Sequence, residues 1–202
     1  MTRIIVLRHG ETQFNFERKL QGHCNSPLTN KGTVQAKNYG IVLREHLLGC
    51  EFEVHASPLG RAMQTARLVC EEVGYPEKAI LEDVRLKEFN LGDWEKRSIP
   101  TLVQEQPDLL ANKDWYLQAP NAETYDEVRA RLSSWLVDTP NEKDLVVVSH
   151  GLTGIVLRGL LLGMEYNETW QQDLPQDAFF IIENNKVRRI SCTDTPEMAE
   201  ML

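Results

Sequence analysis

The stretch that decides the fold is IIVLRHG, residues 4–10, together with a second stretch of the same form, LVVVSHG, residues 145–151. Each begins as a continuous apolar run, which is typical of a strand buried on both faces of a parallel sheet. Each run then ends in a histidine and a glycine. Because open α/β sheets bind ligands beyond the carboxyl ends of their strands, His9 and His150 are predicted to meet at one sheet edge.

Strand and helix patterns alternate along the rest of the chain. FEVHA (52–56) is predicted as a second strand, the weaker AIL (79–81) as a third, and AFFII with VRRI as a hairpin near the C-terminus. The predicted helices begin, in chain order, at Thr29, at Ser57 with Pro58, at Thr124 with its capping partner Glu127, and after the second histidine-glycine pair. This alternation predicts a single α/β domain with a mostly parallel central sheet and helices on both faces.

One segment interrupts the alternation. Residues 89–120 have no clean period and contain three prolines and two tryptophans in irregular positions, so we interpret them as a helical lid insertion. No linker or repeat divides the chain, and residues 1–202 are therefore predicted to form one domain. A loose tail is predicted at about 191–202, where no pattern is left.

Length and charge narrow the classes of function. The 202 residues carry a formal net charge of −8, and a general nucleic-acid binder usually shows a basic surplus, so no nucleic-acid partner is predicted. The apolar run at 4–7 is too short for a signal peptide, and no stretch approaches a membrane span. The four cysteines form no CxxC pair and are predicted to be reduced thiols. We therefore expect a cytoplasmic protein without a membrane partner.

Two further residues are candidates for chemistry. Arg61 falls in the first turn predicted for SPLGRAMQTA, where a positive charge opposes the helix dipole. It is either solvated, paired with Glu82 or Glu88, or directed at an anion together with free backbone amides. Glu88 is either an exposed surface carboxylate or a proton donor beside the apolar lid.

Several other chemistries lack their motifs. The chain contains no GxxxxGK[ST] loop, no GxSxG elbow, no HExxH and no Asp-x-Asp, and no cysteine is followed by an arginine six positions later. The five histidines have no local zinc-ligand spacing, so we predict no metal site. Metal-free phosphohistidine chemistry is what remains.

Four blocks of the sequence resemble the signature of a known family. LRHGETQFN, SPLGRAMQTA, LKEFNLGDWE and VVVSHG are similar, in order and separation, to blocks of the histidine phosphatase (phosphoglycerate mutase-like) superfamily, in its phosphatase branch. The resemblance implies a phosphoglycerate mutase-like fold and phosphoryl transfer. The sequence differs from the family pattern at PNAETYDE (120–127), which lacks the glycine that often precedes the acidic residue in this family. This difference affects what the resemblance implies for the lid and the substrate loop, and not what it implies for the phosphoryl site.

The resemblance also implies roles for individual residues. His9 would be the nucleophile and Glu88 the general acid and base. The implied phosphate-binding residues are Arg8, Asn15, Arg61, His150 and Gly151, and the implied substrate-lid residues are Gln21, Gly22 and Trp94. No cofactor and no metal ion are implied.

The leading hypothesis is a metal-independent phosphomonoester hydrolase that acts on a small phosphorylated metabolite. The alternatives are a cofactor-dependent phosphoglycerate mutase, an α-ribazole-phosphate phosphatase, a phosphoprotein phosphatase and, least favoured, a non-catalytic phospholigand binder. A mutase must exclude water from its phosphoenzyme, and the short lid, which lacks an Arg-Arg pair, favours hydrolysis. A homodimer is left open because the outer strand of the hairpin could pair with a second copy.

Overall fold

A six-stranded sheet forms the centre of the computed structural model, which describes residues 2–139 and 142–193. The strands are β1 (Ile4–Arg8), β2 (Phe52–Ala56), β3 (Leu81–Glu82), β4 (Asp144–Ser149), β5 (Ala178–Glu183) and β6 (Lys186–Ser191). Their order is β3-β2-β4-β1-β5-β6; the first four run parallel, and β5 and β6 form an antiparallel hairpin beside β1. The predicted α/β fold with a mostly parallel sheet is confirmed.

Helices cover both faces of this sheet, as predicted. They are α1 (Gln13–Phe16), α2 (Asn30–Leu47), α3 (Gly60–Val73), α4 (Ile99–Glu105), α5 (Tyr125–Asp138), α6 (Gly151–Leu162) and α7 (Tyr166–Trp170). Successive side chains of β4 alternate between two apolar cores, because side chains of a strand point to opposite faces. Val146 and Val148 pack in the core with α2 and α3, while Leu145 and Val147 pack with α5, α6 and the lid.

Three helix ends lie where short local sequence signals predicted them. The Thr29 side chain accepts a hydrogen bond from the Gly32 amide at the start of α2, and Thr124 with Glu127 forms the predicted capping box of α5. Gly74 ends α3 in the left-handed conformation at φ 71°. These short polar and glycine signals therefore placed three helix ends correctly.

Two predicted boundaries are wrong. Helix α3 begins at Gly60, after a Leu59 N-cap, and not at Ser57 and Pro58. The Ser57 hydroxyl accepts a 3.3 Å hydrogen bond from the amide of this N-cap residue and lies 2.7 Å from Nε2 of His150. The third strand is Leu81–Glu82, because the preceding residues Glu77–Ala79 form a 3₁₀ turn. The short helices α1 and α7 were not predicted.

The predicted loose tail begins too early in the sequence. Strand β6 includes Ser191, and the Cys192 amide donates a 2.8 Å hydrogen bond to the Asp177 carbonyl with its side chain buried. Residues 194–202 of the predicted tail lie outside the described residues. In the described part of the chain, no helix is both long enough and apolar enough to cross a membrane.

The predicted lid, residues 89–120, is helical and irregular, as expected. It contains α4 and three 3₁₀ turns, Gly92–Trp94, Leu109–Ala111 and Trp115–Gln118. Its own aromatic residues pack together: the rings of Trp94 and Trp115 are 6.1 Å apart, and Trp115 stacks on Tyr116 at 3.9 Å. The lid therefore has an apolar interior that continues the core around α5 and α6.

Candidate active site

The carboxyl ends of β1 and β4 bring the two histidines together. Arg8 is directly beside Ser149 in the parallel register, so His9 and His150 follow at the same level of the sheet. Their ring centroids are 5.2 Å apart, and both side chains are buried. The predicted meeting of these residues is confirmed by the geometry.

Hydrogen bonds fix the state of the His9 imidazole. Nδ1 lies 2.8 Å from the Gly10 carbonyl oxygen, which can only accept, so Nδ1 carries the proton. Nε2 is then the nitrogen with the lone pair, and Arg61 Nε donates to it at 3.1 Å. A neutral imidazole in this tautomer presents a nucleophilic nitrogen next to a guanidinium group.

Electrostatics keep His9 neutral. Burial lowers the pKa of His9 well below 6.5, and the positive charges of Arg61 and Arg8 lower it further. Burial likewise lowers the pKa of His150 well below 6.5, with Arg61 as the next cause. Both imidazoles are therefore unprotonated at neutral pH, as a nucleophile at this position must be.

Arg61 is held by backbone carbonyls and is not ion-paired to Glu82 or Glu88. Its Nη1 donates to the Cys24 carbonyl and its Nη2 to the Gly22 carbonyl, both at 2.8 Å. The side chain is buried, and burial lowers the pKa of its guanidinium to about 10. These hydrogen bonds fix the positive charge of Arg61 beside His9 Nε2.

Arg8 approaches the same point from the end of β1. Its Nη1 donates to the Leu174 carbonyl, and its Nε has no partner within residues 2–139 and 142–193. Burial lowers the pKa of Arg8. A Cβ atom on Gly151 would lie 3.4 Å from Arg8 Nε, so the glycine leaves room for this guanidinium. A buried donor without a partner is available to an anionic ligand.

Glu88 is anchored at the N-terminus of α6. Its Oε1 accepts from the amides of Phe89 and Thr153 and from the Thr153 hydroxyl, at 2.9–3.1 Å. Its Oε2 accepts only from the Leu152 amide among the described groups, at 3.1 Å, and has capacity for a further partner. The helix terminus thus fixes one carboxyl oxygen firmly and leaves the other available to the cavity that Glu88 lines.

These groups surround a cavity of about 160 Å³. Its polar floor consists of Arg8, His9, Asn15, Arg61 and Glu88. The rest of the lining is mostly apolar, and we call this part of it the mouth: Leu20, Leu91, Ile99, Tyr116, Leu152 and Leu174, with Lys19. The cavity can therefore hold a phosphoryl group against its polar residues and a less polar group against its apolar ones.

The remaining predicted residues divide into three groups. Gln21, Gly22 and Gly151 line this cavity, as predicted for site residues. His150 lies beside it: it lines a smaller cavity behind Arg8, and its Nδ1 has no partner among the residues described. Trp94 is a correction, because it does not line the cavity and its ring is buried beside that of Trp115 in the lid interior.

This neighbourhood also includes Ser57, Tyr116, Leu174 and Gln176, which were not among the predicted site residues. Ser57 had a usable signal, since it follows the carboxyl end of β2, next to β4, at the same sheet edge. The others come from the lid and from the loop before β5, whose positions no local pattern reveals. In the described part of the chain, no cluster of three His, Cys, Asp or Glu side chains could hold a metal ion.

Similarity to known proteins extends over most of the chain. The sequence profile of the histidine phosphatase superfamily (branch 1) matches residues 4–190. A relative named "Probable phosphoglycerate mutase GpmB" from Enterobacter sp. (strain 638) is 35% identical over 170 residues, 81% of this chain and 76% of the relative.

Solved structures of phosphatases have the same fold. The α-ribazole phosphatase of Shigella flexneri superimposes with a TM-score of 0.76 at 28% identity, covering 94% of this chain and 96% of that one. The mycobacterial glucosyl-3-phosphoglycerate phosphatase superimposes with a TM-score of 0.79 at 26% identity, covering 95% and 97%.

Proposed function

This chain belongs to the histidine phosphatase superfamily, and on that premise we propose that it is a metal-independent phosphomonoester hydrolase with a phosphohistidine intermediate on His9. The observation that supports this most directly is the orientation of His9, whose unprotonated Nε2 lies beside Arg61. The guanidinium groups of Arg8 and Arg61 and the carboxyl group of Glu88 line the same cavity. Nucleophile, anion-binding groups and proton carrier are thus within one small volume.

In the first step, His9 Nε2 attacks phosphorus and the phosphorus–oxygen ester bond breaks. Negative charge on the phosphoryl oxygens is stabilised by Arg8 and Arg61. The hydrogen bond from Arg61 Nε to His9 Nε2 breaks as Nε2 attacks, while the Gly22 and Cys24 carbonyls continue to hold the guanidinium group. The departing alcohol oxygen takes a proton from Glu88. The products of this step are the free alcohol and a phosphoryl group on His9.

In the second step, water attacks the phosphorus of the phosphohistidine. Glu88, now a carboxylate, accepts the proton of that water, and the bond between phosphorus and Nε2 breaks. Inorganic phosphate leaves, and His9 returns to the neutral tautomer that the Gly10 carbonyl holds. Atoms and charges balance over the two steps without another reactant.

The mouth of the cavity supports a small substrate with a largely apolar alcohol portion. Six of its lining side chains are apolar or aromatic, and its charged side chain, Lys19, is 2.7 Å from Glu17 and so already paired. A substrate with a second acidic group would need a free cation at this position. Esters of uncharged alcohols suit the mouth better than phosphoglycerate.

Phosphoglycerate mutase is the second candidate. It is favoured by the 35% identical relatives, which are named probable phosphoglycerate mutases. A mutase would return the phosphoryl group from His9 to a second hydroxyl, which requires that water be excluded. The two candidates share the first chemical step and differ in the acceptor.

The experiment that tests the proposal measures phosphate release in excess chelator from p-nitrophenyl phosphate, α-ribazole phosphate and 3-phosphoglycerate. We expect release that the chelator does not affect and that His9→Ala abolishes. Acid-labile phosphate should be trapped on the wild-type protein after rapid denaturation in base. His46→Ala, a histidine of α2 outside the cavity, is the matched control and should retain activity.

Three results would contradict the proposal. Activity that is lost in chelator and restored by a divalent ion would overturn metal independence. Activity that persists in His9→Ala would overturn the phosphohistidine. Interconversion of 2- and 3-phosphoglycerate that is faster than phosphate release from every ester would make the mutase the better assignment.

A further inference from the structure

The loop between α7 and β5 contacts residues of the candidate phosphoryl site. The Leu174 carbonyl in this loop accepts a hydrogen bond from Arg8, and Gln176 Nε2 donates to the His9 carbonyl at 3.3 Å. The same Nε2 donates to Asn15 Oδ1 at 3.1 Å. One loop thus contacts three site residues that precede it by more than 150 positions.

The contact with Asn15 determines how its amide is oriented. Asn15 Oδ1 also accepts a 3.2 Å hydrogen bond from the Thr12 amide, so two donors converge on it. If the amide were rotated by half a turn, its NH₂ group would face these two donors, which is unfavourable. The oxygen is therefore fixed toward Thr12 and Gln176, and Nδ2 occupies the other branch of the amide.

The orientation of Gln176 is determined in the same way. Its Nε2 is near two oxygens, the His9 carbonyl and Asn15 Oδ1, both of which accept. Only an NH₂ group can donate to both oxygens. The backbone amide of Thr12 can only donate and the carbonyl of His9 can only accept, so the orientations of both side-chain amides are fixed. A carboxylate at position 176 would break both contacts while keeping nearly the same shape.

We infer that Gln176 is a positioning residue that fixes the Asn15 amide with its Nδ2 free to donate to a phosphoryl oxygen in the cavity. Asn15 lines that cavity, and its Nδ2 would add a neutral donor to the guanidinium groups. The inference rests on the proposed phosphoryl-transfer function. It adds a role for a residue that does not itself line the cavity.

The loop has other attachments, so removal of the Gln176 amide need not release it. Arg158 Nη2 donates to the Asp173 carbonyl at 2.6 Å, and the Arg158 guanidinium lies over the Phe180 ring at 3.8 Å. Gln172 Nε2 donates to the Ile155 carbonyl at 2.8 Å. Gln172 is a matched control, because it is a glutamine of the same loop that bonds backbone carbonyls outside the site.

The test is a double-mutant cycle between Gln176→Leu and Asn15→Ala. The dissociation constant of orthovanadate is measured by calorimetry, and kcat and KM with p-nitrophenyl phosphate. Each single variant should weaken vanadate binding about tenfold, the size of one hydrogen bond to a charged acceptor. The double variant should be no weaker than Asn15→Ala alone, because Gln176 acts through Asn15. Gln176→Glu should behave like Gln176→Leu, and Gln172→Leu like the wild type.

Additive losses in the cycle would overturn the inference, since Gln176 would then act independently of Asn15. So would wild-type vanadate affinity in Gln176→Leu, or an equal loss in Gln172→Leu, which would indicate general damage to the loop. A wild-type protein that hydrolyses no ester and binds no vanadate would instead overturn the proposed function. The two failures are therefore distinguishable.

Discussion

The floor and the mouth of the cavity are built in different ways. Four floor residues lie at the end of a strand or near the start of a helix, and Glu88 lies against the N-terminus of α6. Each is fixed by hydrogen bonds to backbone groups, as His9 is by Gly10 and Arg61 by Gly22 and Cys24. The mouth consists of side chains from the lid, from α6 and from two loops, such as Tyr116 of the lid, whose ring is placed by packing on Trp115. Directed bonds fix positions to within tenths of an ångström, whereas packing fixes only shape and volume.

This difference separates two properties of an enzyme. Transition-state stabilisation needs donors that are already in place, so substitutions in the floor should reduce turnover of every substrate. Selection among alcohols needs only a complementary surface, so substitutions in the mouth should change the ranking of substrates. Variants that change one property without the other sharpen this comparison, and variants that change both would break it.

The largest effect is expected for Glu88→Gln. An amide cannot supply or accept the proton, so hydrolysis of an alkyl phosphate should slow by about 10³-fold. p-Nitrophenolate leaves without much protonation, so its release in the first turnover should slow by only about tenfold, although later turnovers wait for the second step, in which Glu88 is the base. The ratio of the two rate constants is the measurement. Glu82→Gln on the exposed strand β3 is the control, and an equal loss on both esters would contradict the acid role.

Arg61→Lys is expected to have the next largest effect. A lysine has one ammonium group and cannot reach His9 Nε2, the Gly22 carbonyl and the Cys24 carbonyl at once. We expect kcat/KM to fall about 10²-fold on all esters, as for the loss of one preorganised donor. Arg67→Lys, on the exposed face of the same helix, should leave kcat/KM unchanged. A loss restricted to aryl esters would place Arg61 functionally in the mouth.

The buried histidines predict how stability depends on pH. The pKa values of His9 and His150 are lowered in the folded state by burial and by nearby arginines, so the unfolded chain binds more protons as pH falls below about 6.5. The free energy of unfolding should therefore decrease on acidification, by up to about 1.4 kcal/mol per pH unit for each histidine.

Urea unfolding at pH 7.5 and 5.5 measures this dependence. His9→Gln should show a smaller decrease than the wild type by the contribution of one proton. Carboxylates contribute equally to both proteins in this interval and cancel in the difference. An identical pH dependence in the wild type and His9→Gln would show that His9 is not held neutral by its surroundings.

The sequence predicted the floor much better than the mouth, for a physical reason. Parallel strands bring their carboxyl ends to one edge, so His9 and His150 could be placed together from two local patterns. Ser57 belonged to the same edge but was assigned to a helix cap, although the helix begins only at Gly60 and the Ser57 hydroxyl contacts His150. Tyr116 and Gln176 owe their positions to turns and loops that local periodicity does not encode.

A smaller and more selective effect is expected for Tyr116→Ala. Tyr116 lines the mouth and stacks on Trp115, so its ring offers a flat apolar surface to a substrate. KM for p-nitrophenyl phosphate should rise about tenfold, while kcat/KM for glycerol phosphate should change by less than about twofold. Tyr116→Phe keeps the ring and should retain the wild-type ranking. A uniform loss on both esters would assign Tyr116 to the floor.

The smallest effect on activity is expected for Trp94→Phe. The sequence analysis predicted Trp94 as a substrate-lid residue, but its ring is buried beside that of Trp115. Trp115 precedes Tyr116, whose side chain lines the mouth. A smaller ring leaves a void, and the free energy of unfolding should fall by about 1–3 kcal/mol. Because packing transmits shape loosely, kcat/KM for both esters should stay within about twofold. A changed ratio between aryl and alkyl esters would show that the lid interior sets the shape of the mouth.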